Sequence, residues 1–332
     1  MKHISWNYPI VCQTEKEDFI KTGKDVGGGE ILSVKQLSKL SIIKSIWRQE
    51  IHAHGRGFPF PEMASVFAKK SVYSPHNDTI GSSWFTRFTR RFVFNRYDKI
   101  IAQTEYGKNR LIESGIQKKK IVVIPAAVDY NFFSNPTGGK SFRKKYNLGK
   151  DPFILAVGIR ALKNPMSILR ACERTGVKAV MIGPYKKEDL EKTWKGKGFE
   201  WYLPPEELLK SKNVVLPGQL SGKDFLAALD AATVFVNSSD YESFGLAVYE
   251  AAASGIPLCL PDQGTFDAFR DCALFHENNN EDQLSNNIKI YINNPMIRRK
   301  NTRKAKEIAK NNDYEIIKDK YTKLYKSLNI IK

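Results

Sequence analysis

Two carboxylates flank the predicted start of a helix in the second half of the chain. Glu242 and Glu250 are separated by seven residues, with an apolar strand predicted before them at 232–236 and another after them at 256–260. In a parallel α/β sheet, the loop from a strand to a helix lies at the carboxyl end of the strands, where ligands bind. The helix N terminus offers N–H groups and a positive dipole end to an anion. One carboxylate can then face a reacting sugar or a cation while the other holds a neutral polyol.

A cationic pair follows another predicted strand, at 153–157. Arg160 and Lys163 stand in the segment Gly-Ile-Arg-Ala-Leu-Lys directly after that strand. An arginine grips a diphosphate through its two-pronged guanidinium, and a lysine does so as a point charge. The alternative is a solvated loop that carries both charges by chance, since Lys and Arg are mostly exposed.

A run of three glycines precedes Glu30, which we predict to open a helix over 30–40. Gly27 and Gly28 would let the backbone approach a ligand closely, beside the N–H groups of that helix. The spacing does not match the GxGxxG fingerprint of dinucleotide-binding proteins. The alternative is a flexible loop.

Histidines stand at the ends of two predicted strands. His76 follows the strand 71–74 and, taken alone, is a polar loop residue. His52 and His54 share one face of the strand 50–54 and could hold a metal ion, but no third ligand is evident. A closed metal site needs more ligands than two, so we expect no metal site.

The residues around the two carboxylates resemble the signature of glycosyltransferase family 4. The resemblance rests on one string together with the Ala-Ser-Gly-Ile-Pro that follows it: Glu242, Ser243, Phe244, Gly245, Leu246 and Glu250. Enzymes of this family are retaining, need no metal, use nucleotide sugars and have the GT-B fold. The resemblance therefore implies two Rossmann-like, doubly wound parallel-sheet domains that face a cleft.

The resemblance also implies roles for individual residues. Glu242 and His76 would lie at the transferred sugar, and Glu250 would accept hydrogen bonds from the donor ribose. The donor diphosphate would meet the glycine loop, the cations and the helix N terminus, namely Gly27, Gly28, Arg160, Lys163, Ser243, Phe244, Gly245 and Leu246. Family members commonly have Gly-Arg and then a Lys several residues on. Arg160 is displaced by one position, so Lys163 is the safer assignment.

Composition and element pattern predict a two-domain α/β protein. The chain has 332 residues, of which 42% are hydrophobic and 27% charged, which is typical of a globular protein with real cores. Strands alternate with helices almost throughout. A run of turn-forming residues at 131–139 predicts a linker. With these bounds, the resemblance implies an acceptor-side domain at 1–137, completed by a terminal helix at about 313–332, and a nucleotide-sugar domain at 150–312.

The chain has no apolar run long enough to span a bilayer and no signal-peptide core at its start. We therefore expect a cytoplasmic protein. Its four cysteines form no CxxC pair, which predicts ordinary buried thiols: Cys12, Cys172, Cys259 and Cys272.

The chain is strongly basic, with a formal net charge of +18. Basic residues concentrate at 81–120 and 298–310, and residues 84–96 mix aromatics with arginines at helical spacing. These segments could bind the anionic inner face of a membrane. The alternative is that they form helix faces that are solvated or packed against the protein.

The resemblance implies a nucleotide-sugar donor, a glycan or lipid-linked acceptor and no cofactor. Two alternatives stay open. The first is a GT-B enzyme that acts on nucleic acid, although no nucleic-acid motif is recognisable. The second is a non-catalytic GT-B scaffold protein, against which the intact Glu242, Glu250 and Lys163 argue.

Overall fold

The computed structural model describes residues 2–5, 30–33, 47–54, 64–75, 91–185 and 204–330, with the backbone alone described in the first two ranges. Outside these ranges lie Gly27, Gly28, His76, Cys12 and residues 84–90 of the segment with helical spacing at 84–96. Contacts divide the chain into two units. Unit 1 comprises Met1–Ala127 and Tyr314–Lys332, and unit 2 comprises Val128–Asp313.

Each unit contains one parallel sheet, in which the described residues form six strands. The strands of unit 1 are β1 (Lys2–Ser5), β2 (Glu30–Ser33), β3 (Glu50–His54), β4 (Lys70–Ser74), β5 (Lys99–Ala102) and β6 (Ile121–Val123). Those of unit 2 are β7 (Phe153–Val157), β8 (Lys178–Ile182), β9 (Val214–Val215), β10 (Val234–Val236), β11 (Leu258–Pro261) and β12 (Leu274–His276). The spatial orders are β2-β1-β3-β4-β5-β6 and β12-β11-β10-β7-β8-β9. Both orders reverse direction within the sheet, as in doubly wound folds.

Helices connect the strands in the usual α/β manner. They are α1 (Glu105–Glu113), α2 (Tyr130–Phe133), α3 (Gly139–Lys145), α4 (Pro165–Thr175), α5 (Glu206–Lys210), α6 (Gly222–Ala231), α7 (Leu246–Ser254), α8 (Glu281–Asn293), α9 (Pro295–Lys310) and α10 (Tyr314–Ser327). Short 3₁₀ turns occur at Ala64–Val66, Lys118–Lys120, Ala161–Lys163 and Gly264–Phe269. None of the helices within the described ranges is long and apolar enough to cross a membrane.

In unit 1, apolar side chains cover both faces of the sheet. On one face Tyr73 lies against Phe94 and Tyr97, with ring centroids 4.9 and 5.1 Å away. On the other face helix α10 packs its Ile317 against the sheet. A buried hydrogen bond of 2.6 Å joins the Tyr325 hydroxyl of α10 to His52 Nδ1, and Ser74 Oγ lies 2.8 Å from His52 Nε2. Both ring nitrogens of His52 thus have protein partners.

In unit 2, helix α4 begins and ends with residues suited to those positions. Pro165 occupies the first turn, where its missing N–H costs nothing, and Gly176 closes the helix with φ of 69°. The helix buries Leu169 against Ile288 and Tyr291 of α8. Cys172, Cys259 and Cys272 are buried free thiols, as the sequence predicts.

The structure corrects three predictions about elements. Glu30 begins strand β2, not a helix, because residues 30–33 pair in register with β1. The segment 131–139 is not a linker between the units, since it lies inside unit 2 and includes helix α2. Phe133 of α2 is buried against Phe225, with ring centroids 5.9 Å apart, so apolar burial outweighs the local turn-forming composition. The sequence also predicts a helix near 61–70, but the described residues of that segment form only the 3₁₀ turn Ala64–Val66 before β4 begins.

Candidate functional site

The site lies at the carboxyl ends of β7 and β10, which are neighbours in the sheet of unit 2. Three buried polar residues follow strand β10 directly: Asn237, Ser238 and Ser239. The Ser238 hydroxyl donates to the carbonyl oxygens of Lys163 and Asn164, at 3.0 and 2.9 Å. These bonds fix the loop that follows β10 to the loop that follows β7. Residues far apart in the sequence are thereby held at one edge of the sheet.

Lys163 reaches the site across a glycine. Gly158 has a φ of +96°, and a Cβ built on it would lie 2.6 Å from Lys163 Cγ. Only glycine accommodates both the backbone conformation and the close approach of the lysine chain. Lys163 Nζ forms an ion pair with Glu242 Oε1. Arg160 lies on the same loop, directly before the turn that contains Lys163, and is partly exposed.

Three donors converge on Glu242. Besides Lys163, the side-chain amide of Asn237 donates to Oε1 at 3.2 Å and the Ser239 hydroxyl at 2.9 Å. The backbone carbonyl of Glu242 accepts a hydrogen bond of 2.8 Å from Thr265 Oγ1. The Glu242 side chain is only 12% exposed. A polar group that is nearly buried needs such hydrogen-bond partners, and they also fix its orientation.

Helix α7 begins directly after this carboxylate. Its N-cap, Gly245, has a φ of +81°, and a Cβ there would lie 2.6 Å from Cε1 of Phe266. No side chain caps this helix end. The Val248 N–H donates to the Gly245 carbonyl oxygen at 2.8 Å, so the N–H groups of Leu246 and Ala247 are the ones that could face an anion. The Phe244 side chain is buried and stacks on Tyr249 at 4.2 Å. Of Phe244, therefore, only the backbone can face a ligand, whereas Ser243 and Leu246 are partly exposed.

Glu250 is the fifth residue of α7 and is 6% exposed. At about 1.5 Å of rise per residue it lies roughly 6 Å along the axis from the first helical residue. Burial raises the pKa of Glu250 from 4.5 to about 7, because the charged carboxylate loses its hydration. This carboxyl group therefore changes charge near neutral pH.

Two residues of the site, Gln263 and His276, were not identified from the sequence. Gln263, just after β11, donates its amide to the Ser239 carbonyl oxygen. His276 ends β12 with Nε2 3.1 Å from the Asn237 carbonyl oxygen and Nδ1 3.0 Å from that of Glu277. Burial lowers the pKa of His276, and the two carbonyl contacts oppose that effect. Both are polar residues at carboxyl ends of parallel strands, a position that marks ligand sites.

The structure thus brings together Lys163, Glu242 and the start of α7, with Arg160 on the same loop as Lys163 and Glu250 on α7. In the ranges that the structure describes, no group of three or more His, Cys, Asp or Glu side chains could hold a metal ion.

Two family models match the chain. Residues 140–311 match Glycosyl transferases group 1, and residues 40–132 match Glycosyltransferase Family 4. The first match covers more than half of the 332 residues.

One curated relative matches part of the chain. Sulfoquinovosyl transferase SQD2 of Arabidopsis thaliana is 25% identical over 181 residues, which make up 52% of this chain and 32% of that protein. The aligned segment thus spans about a third of the relative's length.

Solved structures have a similar fold. Anabaena Alr3699/HepE in complex with UDP has a TM-score of 0.75 at 16% identity, over 98% of this chain and 99% of that one. A glycosyltransferase from Rickettsia africae has a TM-score of 0.74 at 16% identity, over 98% of both chains. Sucrose-phosphate synthase from Thermosynechococcus elongatus has a TM-score of 0.67 at 18% identity, over 84% of this chain and 73% of that one. Since the group 1 model covers more than half of the chain and a family 4 model matches its first unit, the protein belongs to the family 4 glycosyltransferases and has their GT-B fold.

Proposed function

We propose that this glycosyltransferase moves a hexose from a nucleoside diphosphate sugar, UDP- or GDP-linked, to a glycan or lipid-linked acceptor with retention at the anomeric carbon. The observation that carries the proposal is the Lys163–Glu242 ion pair beside the uncapped N terminus of α7. The structural relative from Anabaena was solved with UDP and with UDP-glucose, which supports uridine as the base.

The donor diphosphate would bind where positive charge is concentrated. Lys163 and Arg160 follow β7, and the N–H groups of α7 point to the same edge of the sheet. Lys163 would then divide its charge between the phosphate and Glu242. Glu250, buried in the second turn of α7, would accept hydrogen bonds from the donor ribose hydroxyls. With this much positive charge in the protein, the departing diphosphate can be stabilised without a metal ion or any other cofactor.

The transfer itself would take place on one face of the sugar. The bond from the anomeric carbon to the β-phosphate oxygen breaks, and the acceptor oxygen bonds to the same face of that carbon. The acceptor proton passes to the departing phosphate oxygen. Glu242 stabilises the positive charge that develops on the sugar, and His76 is predicted to lie near the same sugar. A carboxylate oxygen held by three donors suits this electrostatic role better than covalent attack.

The place of the reaction is part of the proposal. We propose a cytoplasmic enzyme that works peripherally on the inner face of the membrane, where lipid-linked acceptors are available. The basic segments 81–120 and 298–310, and residues 84–96, are the candidates for contact with lipid. Of the last segment, the structure describes a helical turn at 91–94 with an exposed Phe92.

A thermal-shift screen with UDP-, GDP-, ADP- and CMP-sugars, in buffer with EDTA, tests the donor class. A ligand present at 100 times its dissociation constant stabilises the native state by about 2.7 kcal/mol. We expect UDP-sugars to raise the melting temperature despite the chelator. A release assay for the free nucleoside diphosphate then separates an enzyme from a scaffold, with Glu242→Gln as the inactive comparison. No shift with any nucleotide sugar at millimolar concentration would overturn the proposal.

A further inference from the structure

The amino ends of four neighbouring strands in unit 1 form a basic surface. Strands β3, β4, β5 and β6 are parallel and adjacent, so their first residues lie at one edge of the sheet, about 5 Å apart from strand to strand. Eight basic residues stand at or just before these starts: Arg48, Lys69, Lys70, Arg96, Lys99, Lys118, Lys119 and Lys120. We call these eight residues the amino-edge surface. Only Glu50 and Asp98 offset them at the strand starts, which leaves a formal charge of +6.

Contacts between adjacent strand starts join these residues into one surface. Lys69 Nζ lies 3.5 Å from Glu50 Oε1, and Lys70 Nζ lies 3.9 Å from Asp98 Oδ1. Lys99 Nζ donates to the Lys119 carbonyl oxygen at 2.8 Å. These contacts connect β3 with β4, β4 with β5, and β5 with β6.

The positive charges are close enough to affect one another. Lys120 Nζ donates to the Tyr97 carbonyl oxygen at 2.7 Å. Partial burial lowers the pKa of Lys120; Asp98 opposes this effect, while Lys119 and Lys99 add to it. Like charges that repel one another in the free protein favour an anionic partner. Outside the strand starts, Arg91 and Glu113 are also exposed and add one charge of each sign.

Exposed apolar side chains lie beside the charges. Trp47 is 55% exposed and Val66 is 41% exposed. Trp47 directly precedes Arg48, and its ring centroid is 6.2 Å from that of Phe67. The Arg48 amide donates to the Phe67 carbonyl oxygen at 2.8 Å, which holds the two loops together. The amino-edge surface therefore has an aromatic residue at the end of its row of cations.

We propose that the amino-edge surface docks on an anionic phospholipid bilayer, with Trp47 at the interface. Lys and Arg side chains near such a bilayer are attracted to its anionic headgroups, and tryptophan is enriched at the boundary between lipid and water. Six of the eight cations are lysines, which act as point charges, whereas nucleic-acid recognition relies more on the bidentate arginine. The charge pattern and the exposed apolar side chains thus favour a membrane over a nucleic acid.

This inference rests on the proposed function only in that it locates the contact of the enzyme with the membrane. In unit 1, ligands of an α/β sheet would bind at the opposite, carboxyl edge, where β3 and β4 end in His54 and Ser74. A bilayer at the amino edge leaves that carboxyl edge uncovered.

Vesicle co-sedimentation of the full chain tests the inference. We expect binding to phosphatidylcholine vesicles in which about one lipid in three is phosphatidylglycerol, and no binding to pure phosphatidylcholine vesicles. Binding should be lost in high salt, because exposed charges are then screened. The double variant Lys118→Glu, Lys119→Glu should weaken binding about tenfold or more, since two attractive charges become repulsive. Trp47→Ala should weaken binding about threefold, through loss of one interfacial side chain. Both lysines and Trp47 are exposed, so the variants are expected to fold.

The matched control reverses two charges on another basic helix. Lys140→Glu, Lys144→Glu on α3 changes the charge equally, at exposed positions of unit 2, and should leave vesicle binding unchanged. An equal loss in this control would overturn the inference in favour of general charge attraction. So would binding of an RNA or DNA oligonucleotide, lost in the Lys118/Lys119 variant, without vesicle binding. The UDP-glucose thermal shift of each variant is measured separately, so failure of the donor proposal is distinguishable from failure of the docking surface.

Discussion

Glu242 shows how the site keeps a charged residue oriented in a nearly buried place. Lys163 neutralises it, and the amide of Asn237 and the hydroxyl of Ser239 donate to the same oxygen. When a diphosphate attracts Lys163, the two neutral donors would still hold the carboxylate. The lysine can therefore change partner without releasing Glu242 from its position.

The raised pKa of Glu250 predicts that the free energy of unfolding of the ligand-free protein depends on pH. Its folded pKa of about 7 lies above the ordinary value of 4.5, so the folded state binds the proton more tightly than the unfolded state does. The stabilisation that protonated Glu250 contributes is fully present below the pKa of this group in the unfolded chain, and it is lost as the pH rises through 7. For wild type we expect a loss of roughly 2 kcal/mol of unfolding free energy from this group between pH 5 and pH 8.

The variant Glu250→Gln supplies the comparison, because glutamine has a similar shape and does not titrate. Urea unfolding at both pH values should show the variant gaining stability relative to wild type at pH 8. A difference between the two proteins that does not change with pH would show that Glu250 is not held protonated by burial.

At the scale of elements, two glycines determine how closely the loops approach the site. Gly158 lets the Lys163 side chain lie over the backbone, and Gly245 ends the loop that leads to α7. Both have positive φ, so a side chain at either position adds backbone strain to the steric contact.

Gly245→Ala should be more destabilising than an alanine placed at another left-handed glycine. Gly149 has a φ of +60° with nothing within 4 Å of an added Cβ, so Gly149→Ala measures the backbone cost alone, about 1 kcal/mol. At Gly245 the contact with Phe266 should add at least about 1 kcal/mol, as overpacking does. Chemical denaturation of both variants checks this difference. Equal losses would mean that Phe266 moves aside freely.

The strands that the sequence predicts are found in both units. Strands β3 and β4 of unit 1, and β7, β10 and β11 of unit 2, lie within two residues of their predicted bounds, because their apolar runs are distinct and are buried on both faces. The short segment Glu30–Ser33 has no such run, and its pairing with β1 decides its conformation. Strand β12 was missed because it lies at the edge of the sheet, where only His276 of its three residues is buried.

At the scale of the whole molecule, the family signature together with the strand pattern is sufficient to select Lys163, Glu242 and Glu250 as candidates, and the structure pairs Lys163 with Glu242. It cannot locate Gln263 and His276, because their place beside Asn237 and Ser239 depends on the sheet order β12-β11-β10-β7. That order arises from contacts between segments far apart in the chain, which no motif encodes. The roles of Gly27, Gly28 and His76 stay predictions.

Calorimetric titration with UDP-glucose tests the central claim most directly, namely that Lys163 and Glu250 hold a nucleotide-sugar donor. We expect Lys163→Ala and Glu250→Ala each to raise the dissociation constant at least about tenfold, which corresponds to about 1.4 kcal/mol. Lys150→Ala, which removes an exposed lysine of the same unit, should bind like wild type. Unchanged affinity in both site variants, with wild type binding the donor, would contradict the account.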